Sequence, residues 1–508
     1  MIERAVDILI VGSGAGGATV AKELAPLCRD GVRIAVLEWG PKLRDDEFTG
    51  QELEMAGKLY FDSGGFLNTS KTLALAFVKA YGGSTVAYTG TSIAIPQQVV
   101  ERHWAVPGLD WHDLMRRTEK YKAENNVHEL DDSLINENNR LFRDGCARYS
   151  DGAGSRPLAV KKFPVNVRDC QGSGMCNMGC PNQAKQGTNR VQLPAAERQG
   201  VEVVTNCRVE TIGEKHVIAT VRYAHCGLPS PWPNGRYRIS AKTIVVSCGS
   251  VNSPALLQRS ALPVRLPALG RYFTCHPALT LVAQHPRPLV NYYGFPKTYY
   301  CDDFETAQHF ILETCMYFPF TTAKNLAGFG AQHSAFMSDF RRLQQILVLV
   351  SDPALPDNRI AIDRDGNPVL HYDFPDMVLD AFVESQKVSA RIFFAAGAER
   401  VHAPAAAKFA IERSEAGELD RLIDRRYLKL GKISITSAHH MGGCRMGADP
   451  ASSVTDIWGR VHGVPWLYVA DASLFPGSSS VNPYLTIMSL ADRVAEGIRA
   501  RGRELLAA

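Results

Sequence analysis

Three cysteines lie close together in the chain, at a spacing that could do chemistry. They are Cys170, Cys176 and Cys180 in the stretch CQGSGMCNMGC. Three thiolates on a glycine-rich loop can ligate the irons of an iron–sulfur cluster, and backbone N–H groups freed by the glycines can donate to its sulfides. The same thiols could instead form a disulfide or only line a loop. In a chain without a secretory signal, a short cysteine cluster favours metal over a disulfide.

A glycine turn near the N-terminus predicts a dinucleotide site. In VDILIVGSGAGGATVAKELA an apolar strand is followed by Gly12, Gly14 and Gly17 and then by a helical pattern. The first glycine permits a tight turn, the second lets the backbone approach a pyrophosphate, and the third lets helix and strand pack closely. The next strand, VRIAVLE, ends at Glu38, an acid that can accept hydrogen bonds from a ribose. This unit alone does not distinguish NAD from FAD.

The C-terminal part of the chain carries a second group of candidate residues. LYVAD predicts a buried strand that ends at Asp471, and NPYLTIMSLADRVAEGI predicts a helix that begins with a proline in its first turn. The N-terminus of such a helix can direct free N–H groups at an electron-rich ring or a phosphate. Upstream, SAHHMGGCRMG places two adjacent histidines, His439 and His440, before a glycine turn.

The composition places these motifs in an ordinary globular protein of two or three domains. The chain has 508 residues, of which 45% are hydrophobic, and a net charge of +4, so neither nucleic acid nor an anionic membrane is indicated as a partner. Its apolar runs fall short of the ~20 residues that span a bilayer. The N-terminus runs directly into a strand without a signal peptide, which predicts a cytoplasmic location.

Taken together, the motifs resemble those of the glucose–methanol–choline (GMC) flavoprotein oxidoreductases. The resemblance rests on GSGAGG, SCGSVNSPALLQRS (residues 247–260), AHHMGGCRMG and VADASLFPGSSSVNP, which occur in the order of the family. It implies an α/β fold with a Rossmann-like FAD-binding domain and a substrate domain built on an antiparallel sheet covered by helices. We expect residues 1–95, 165–275 and 431–508 to form the FAD-binding domain, and residues 96–164 and 276–430 to form the substrate-binding domain.

The resemblance also implies an activity and the residues that carry it. It implies FAD rather than NAD, and oxidation of an alcohol by hydride transfer to the flavin N5, for which a histidine is a suitable base. The family pattern selects His439, five residues before Cys444, as that base. It selects Asn482 as the partner that hydrogen-bonds the substrate oxygen. His440 is expected to face away from the site, and His276, in FTCHPAL, is interpreted as structural.

A set of FAD contacts follows from the same resemblance. These are Gly12, Gly14, Gly17, Glu38, Gly83, Ser84, Val209, Asp471, Asn482 and Pro483. In KAYGGSTVAYTG, Tyr88 stands where many members of the family have asparagine. That segment contains no histidine to bond the flavin, so we expect the FAD to be non-covalent.

For the three cysteines the resemblance leaves two alternatives open. Their spacing is similar to that of FAD-dependent sugar dehydrogenases, which hold a [3Fe-4S] cluster, so Cys170, Cys176 and Cys180 are candidate ligands. The stretch MCNMGCPNQAKQGT looks closer to that of the long-chain alcohol oxidases and dehydrogenases, where no such role is assigned. A cluster would pass electrons to a quinone or a cytochrome, whereas an enzyme without one could use dioxygen. A small partner subunit is compatible with either alternative.

The middle of the chain, residues 276–430, carries no recognised motif. Strand-like runs such as ALTLVAQH and QQILVLVS precede a helical pattern near DMVLDAFVESQKVSARIFFAAG, and RDGNP predicts a hairpin turn. Upstream of it, DGAGSRP (residues 151–157) predicts a surface loop. Aromatic residues are frequent in NYYGFPKTYY and MYFPF, and a pocket lined by them would take an apolar substrate. We therefore predict an oxidoreductase for a hydrophobic or aromatic alcohol, with an iron–sulfur sugar or polyol dehydrogenase and a flavin-containing lyase as alternatives.

Overall fold

The computed structural model describes residues 1–151, 154 and 156–501 of the chain. Two large β-sheets organise these residues. Residues 152, 153 and 155 of the predicted loop 151–157 lie outside the described residues, and so do residues 502–508 of the predicted FAD-binding domain. The first sheet is mostly parallel and the second mostly antiparallel. This arrangement agrees with the α/β class and the antiparallel substrate sheet that the sequence predicted.

The first sheet is built on the strand Ile2–Val11, whose last four residues form a continuous apolar run. All four are buried, as expected for a parallel strand with both faces covered. Parallel neighbours lie on both sides of this strand, and an antiparallel pair forms one edge. In spatial order the strands are Glu202–Val204, Ile34–Leu37, Ile2–Val11, Gly235–Val246, His216–Val221 and Cys207–Gly213, with Leu467–Val469 also parallel to Gly235–Val246.

Helices from both ends of the chain pack together beside the first sheet. Ala15–Leu24 contacts the C-terminal helix Tyr484–Ala500, which in turn contacts Trp111–Glu124. Gln192–Glu197 also packs against Ala15–Leu24. The predicted strand at LYVAD and the helix after Pro483 are therefore present, at Leu467–Val469 and Tyr484–Ala500.

The second sheet comes mainly from the middle of the chain. Its central strand, Ala278–Gln284, pairs with Leu343–Val350 in an antiparallel ladder, and both strands are completely buried. The long helix Asp376–Ala395 packs on this sheet and against Glu137–Ala147. In spatial order the strands are Phe66–Leu67, Ala74–Leu75, Thr436–Ser437, Ala278–Gln284, Leu343–Val350, Phe310–Thr314, Tyr299–Cys301 and Lys161–Lys162, and Arg400–His402 joins Ala278–Gln284 to Ile411–Glu412.

Short elements complete the described chain. The predicted hairpin is present as Arg359–Ile362 paired with Pro368–His371. Two further strand pairs are Val127–Glu129 with Pro164–Asn166, and Thr274–Cys275 with His440–Met441. The remaining α-helices are Glu52–Leu59, Gly249–Gln258, Glu305–Gln308, Pro319–Asn325, Ala331–Ser338 and Leu419–Leu422. No helix in the described part of the chain is long and apolar enough to cross a membrane.

The predicted division into two domains stays a proposal. Two segments pack against the sheet of the other predicted domain. Residues 66–75 contribute strands to the second sheet, and Leu114 of the helix Trp111–Glu124 belongs to the apolar core of the first sheet.

Candidate functional site

A cavity of about 510 Å³ is lined by residues of both sheets. The first sheet contributes Val11 and Leu37, and the second contributes Thr280 and Leu347. Every FAD contact predicted from the sequence lines this cavity except Gly17, and so does the predicted catalytic pair. Residues that lie up to several hundred positions apart in the chain are thus brought to one space.

The glycine turn forms one wall of the cavity with backbone atoms. Gly12 has φ +101°, and a Cβ atom there would lie 2.2 Å from the Ser247 carbonyl oxygen. Gly14 faces Gly83, where a Cβ atom would lie 2.6 Å from the Gly14 Cα. Gly17 lies within the helix Ala15–Leu24, where a Cβ atom would lie 2.0 Å from the Gly12 carbonyl oxygen. Gly12, Gly17 and Gly83 therefore require the absence of a side chain.

The helix that follows this turn has an N-terminus suited to an anion. Gly14, its N-cap residue, offers no side chain to the first turn, and no acidic residue lies in that turn. The free N–H groups and the helix dipole therefore favour a phosphate. Together with the bare backbone at Gly14 and Gly83, this arrangement fits the pyrophosphate of a dinucleotide.

Glu38 lies at the end of the second parallel strand, where the sequence predicted a ribose contact. Its Oε2 accepts hydrogen bonds from the Ser13 N–H at 3.0 Å and the Ser13 hydroxyl at 2.6 Å, and its Oε1 accepts one from the Gly40 N–H at 2.8 Å. Burial raises the pKa of Glu38, and these three donors oppose the rise. The carboxyl group is held rigidly at the cavity wall, where its remaining acceptor sites suit a ribose.

Asp471 joins two segments that follow strands of the first sheet. Its Oδ2 accepts hydrogen bonds from the Gly249 N–H at 2.8 Å and from the Ser253 hydroxyl, and its Oδ1 accepts one from the Ser473 N–H at 2.8 Å. The segment 247–253 and the segment after Leu467–Val469 are therefore tied together at the cavity. The other predicted contacts on this side, Val209, Ser84 and Pro483, line the same space.

His439 and Asn482 lie together on the cavity wall. The Asn482 side-chain nitrogen Nδ2 is 3.3 Å from His439 Nε2. Asn482 Oδ1 is buried and has no hydrogen-bond partner among the described residues. Burial, followed by His276, Lys297 and His440, lowers the pKa of His439 well below its usual value, so the imidazole is neutral at neutral pH. This pair can accept a proton and donate a hydrogen bond at one point.

His440 was expected to face away from the site, but it lines the same cavity as His439 and differs from it in its bonding. Its Nε2 lies 2.9 Å from the Ser437 carbonyl oxygen, and its ring contacts Phe77 edge-on with a centroid distance of 5.6 Å. It is therefore engaged with its own strand segment and with an aromatic side chain, whereas His439 is engaged with Asn482.

Three polar residues near the pair were not identified as functional from the sequence. His276, interpreted as structural, lies with its Nδ1 3.0 Å from His439 Nδ1. Lys297 lines the cavity and forms an ion pair with Glu313, and the exposed fractions of their side chains are only 7% and 0%. The available signal for Glu313 was a single acid within the apolar run HFILETCMYF, since an unpaired buried charge is very costly.

Tyr88 replaces the asparagine that the family pattern led us to expect. Its ring contacts Tyr484 edge-on with a centroid distance of 5.2 Å, and its hydroxyl accepts a hydrogen bond from Asn166 Nδ2 at 2.5 Å. Lys185 lies over the ring, and burial lowers the pKa of this lysine to about 8. The Lys185 amino group donates to the Tyr88 carbonyl oxygen at 2.7 Å, so Tyr88 is fixed from three sides.

The three cysteines lie beside the cavity without lining it. All three are free thiols, and Cys170 and Cys176 pack against an apolar cluster that includes Phe163 and Phe295. Burial raises the pKa of Cys176 to about 12 and also raises that of Cys170. No group of three metal-ligating side chains is arranged to hold an ion within the described residues. The predicted iron–sulfur cluster therefore has no support.

Comparison with protein families gives a match over most of the chain. Two models of the GMC oxidoreductase family match, one over residues 6–278 and the other over residues 355–491. The first alone spans more than half of the 508 residues.

Two proteins of similar sequence are oxidoreductases by name. A GMC-type oxidoreductase of uncharacterised function from Mycobacterium tuberculosis H37Rv is 29% identical over 96% of this chain and 75% of its own length. A long-chain-alcohol oxidase of Arabidopsis thaliana, FAO4A, is 27% identical over 96% of this chain and 67% of its own length.

Solved structures show the same fold at low identity. The pyridoxine 4-oxidase from Mesorbium loti superposes with a TM-score of 0.71 at 16% identity, over 97% of this chain and 99% of the other. The formate oxidase of Aspergillus oryzae, in a study of FAD modification, superposes with a TM-score of 0.72 at 15% identity, over 99% of this chain and 100% of the other.

Proposed function

We propose that this chain, which belongs to the GMC oxidoreductase family, oxidises an apolar primary or secondary alcohol with non-covalently bound FAD. The observation that carries the proposal is the His439–Asn482 pair on the wall of a cavity that also contains the glycine turn. When bound, FAD supplies the acceptor for the hydride of the alcohol carbon. The residues of the chain have to hold the alcohol and move its proton.

His439 is suited to take the proton of the hydroxyl group. Its depressed pKa leaves the ring neutral, so one ring nitrogen carries a lone pair, and Asn482 Nδ2, which can only donate, favours that lone pair on Nε2. A hydroxyl oxygen placed between His439 Nε2 and Asn482 Nδ2 would donate its proton to the histidine and accept a hydrogen bond from the amide. The amide N–H would then stabilise the negative charge that develops on the oxygen. Both side chains can act on the same atom because they lie 3.3 Å apart.

Apolar side chains on the cavity wall support an apolar substrate. An aromatic and aliphatic surface dominates where the second sheet and the helix Glu52–Leu59 meet the cavity, and such walls favour apolar ligands over sugars. These residues are Tyr60, Phe61, Phe77, Tyr317, Phe318, Phe320, Leu347 and Leu349. The similarity to a long-chain-alcohol oxidase supports the same substrate class.

Bleaching of the flavin under anaerobic conditions tests this proposal. FAD-loaded protein is mixed with a long-chain primary alcohol, an aryl-methanol or glucose, and the flavin absorbance is followed. We expect both apolar alcohols to bleach the flavin and glucose to leave it oxidised at equal concentration. Bleaching by glucose alone would contradict the proposed substrate class, and consumption of an alcohol without bleaching would favour the lyase.

The role of His439 is tested by substitution in the same assay. We expect His439→Gln to lower the bleaching rate constant by about 10²–10⁴-fold, the usual contribution of a positioned base. His285→Gln is the matched control, because His285 is also buried. In the described residues its side chain is hydrogen-bonded to Gln344, with Nε2 2.7 Å from Gln344 Oε1. An equal loss in both variants would contradict the assignment of the base.

Iron analysis decides between this function and the cluster-containing dehydrogenase. We expect flavin without iron or acid-labile sulfide in protein purified anaerobically. About three irons per FAD would instead establish the [3Fe-4S] cluster on Cys170, Cys176 and Cys180 and an electron-carrier acceptor.

A further inference from the structure

His276 lies directly behind His439, on the side away from the substrate. The two residues are brought together by the short ladder between Thr274–Cys275 and His440–Met441, in which Cys275 is opposite His440. The ladder is extended by a hydrogen bond from the His276 N–H to the His439 carbonyl oxygen at 3.3 Å. His439 lines the cavity, whereas His276 is not among the described residues that line it, and its exposed fraction is 2%.

A continuous row of side-chain contacts passes through both rings. Asn482 Nδ2 is 3.3 Å from His439 Nε2, His439 Nδ1 is 3.0 Å from His276 Nδ1, and His276 Nε2 is 2.9 Å from the Ser478 hydroxyl. Four side chains are therefore linked by three contacts at hydrogen-bond distance. Each ring nitrogen of the two histidines takes part in one of them.

The chemistry of these groups allows one consistent arrangement of protons. A neutral imidazole carries a hydrogen on one nitrogen and a lone pair on the other. An amide nitrogen only donates, so Nε2 of His439 must accept from Asn482, and the hydrogen of His439 lies on Nδ1. That N–H donates to Nδ1 of His276, which places the hydrogen of His276 on Nε2, where it donates to the Ser478 hydroxyl oxygen.

The opposite arrangement is unfavourable at the Asn482 end of the row. With its hydrogen on Nε2, His439 would set an N–H against the N–H of Asn482 and would have no lone pair for a substrate proton. At the other end of the row the Ser478 hydroxyl can donate as well as accept, so it fits either tautomer of His276 and Asn482 decides between the two arrangements. Burial lowers the pKa of both histidines, which keeps both rings neutral and preserves the alternation of donor and acceptor.

We propose that His276 is a positioning residue, which holds His439 in the tautomer with the hydrogen on Nδ1 and so presents the Nε2 lone pair to the substrate hydroxyl. In the matching tautomer His276 donates from Nε2 to the Ser478 hydroxyl oxygen. The chemical part of this inference rests on the proposed role of His439 as the base. The tautomer itself is a property of the resting protein and can be measured without turnover.

Nitrogen NMR of FAD-loaded protein labelled with ¹⁵N-histidine measures the tautomer directly. The signals of His439 are identified by their loss in His439→Gln. We expect His439 of the unmodified protein to show a protonated Nδ1 and an unprotonated Nε2. A protonated Nε2 in that protein would overturn the proposal, and this reading needs no variant of His276.

Two substitutions of His276 then separate positioning from packing. His276→Phe fills the space but offers no acceptor to His439, so we expect a mixture of tautomers and a loss of kcat on the order of 100-fold or more with KM nearly unchanged. His276→Asn can place an oxygen near the former Nδ1, so we expect it to restore the Nδ1–H tautomer and most of the lost kcat. His285→Phe, at a buried histidine remote from this row, should leave the His439 signals unchanged.

The outcomes distinguish this inference from the proposed function. An unchanged His439 tautomer in His276→Phe would overturn the positioning role. A tautomer that changes as expected, in a protein that oxidises no alcohol, would sustain the positioning role and refute the function. If His276→Phe does not fold, His276→Leu, a smaller replacement that also offers no acceptor, takes its place, and an unchanged His439 tautomer in that variant would overturn the positioning role.

Discussion

The two walls of the cavity are built in different ways. The wall at the glycine turn is made of backbone: Gly12, Gly14 and Gly83 bring main-chain atoms to the surface, and the helix Ala15–Leu24 contributes its free N–H groups. A second wall is made of side chains, with the His439–Asn482 pair, the Lys297–Glu313 ion pair and a set of aromatic residues.

This difference determines which property of the protein a substitution on each wall should impair. Backbone groups recognise the pyrophosphate that all dinucleotides share. The spacing of the glycines is therefore restricted, whereas the residues between them can vary. Side chains recognise a particular substrate, and each depends on a partner that arrives from a distant part of the chain. We therefore expect side-chain atoms added at the glycines of the first wall to abolish cofactor binding, and loss of a side-chain group beside those glycines to leave it nearly unchanged. Substitutions on the second wall should alter stability or rate while flavin is retained.

Gly12→Ala should give the largest effect. The added Cβ atom would lie 2.2 Å from the Ser247 carbonyl oxygen at a φ of +101°, so strain and overlap together should cost roughly 2–6 kcal/mol. We expect a protein without bound FAD, or one that does not fold, as measured by flavin absorbance per chain and by thermal unfolding. Gly57→Ala is the control, because Gly57 lies in the helix Glu52–Leu59 with nothing within 4 Å of its Cβ position. A Gly12→Ala protein with normal flavin content would mean that the backbone does not form this wall.

The same contrast explains what could be predicted from the sequence. The strand–turn–helix at Gly12, the helix after Pro483 and the hairpin at RDGNP were predictable because each depends on residues close together in the chain. His276 was interpreted as structural because its partner, His439, is 163 residues away and a ladder of two residue pairs aligns them. No pattern of neighbouring residues in the sequence indicates such a ladder.

At the cysteine segment the sequence predicted a site that the structure does not support, whereas at His276 it missed a contact that the structure contains. The spacing of Cys170, Cys176 and Cys180 is compatible with a cluster, but spacing does not report burial. In the folded chain Cys170 and Cys176 pack against apolar side chains, and burial raises the pKa of both thiols. A ligand set requires side chains that converge and can ionise, and both properties depend on the tertiary structure.

Lys297→Met should have the next largest effect, and it tests the wall made of side chains. The substitution leaves Glu313 buried without its cation, which typically costs about 3–5 kcal/mol. We expect a lower midpoint of thermal unfolding with flavin still bound. Lys161→Met is the matched control: Lys161 pairs with Asp302 at 2.7 Å with 51% of its side chain exposed, and such pairs contribute about 0–1 kcal/mol.

The pH dependence of Lys297→Met gives a sharper form of the same test. Burial raises the pKa of Glu313, and Lys297 opposes the rise, so removing the lysine raises that pKa further. The folded variant then holds a proton that the unfolded chain releases above its usual pKa of about 4.3. Stability is therefore lost as pH rises from that value through the raised pKa of the folded state. We expect the deficit relative to the unmodified protein to be larger at pH 8 than at pH 5, and an equal deficit at both would show that Glu313 is not the cause.

Tyr88→Phe should have the smallest effect, because Tyr88 belongs to the first wall and is held mainly through its ring and its backbone. The substitution removes the hydroxyl that accepts from Asn166 Nδ2, while that amide still donates to the Gln186 carbonyl oxygen at 2.8 Å. The expected cost is about 1 kcal/mol in stability, with flavin affinity changed by less than about tenfold. Tyr237→Phe is the control, since Tyr237 is fully buried outside the cavity and its hydroxyl also makes one hydrogen bond, to the Pro233 carbonyl oxygen at 2.8 Å. If Tyr88→Phe weakened flavin binding far more than this, the first wall would also depend on side chains, and the distinction between the two walls would no longer hold.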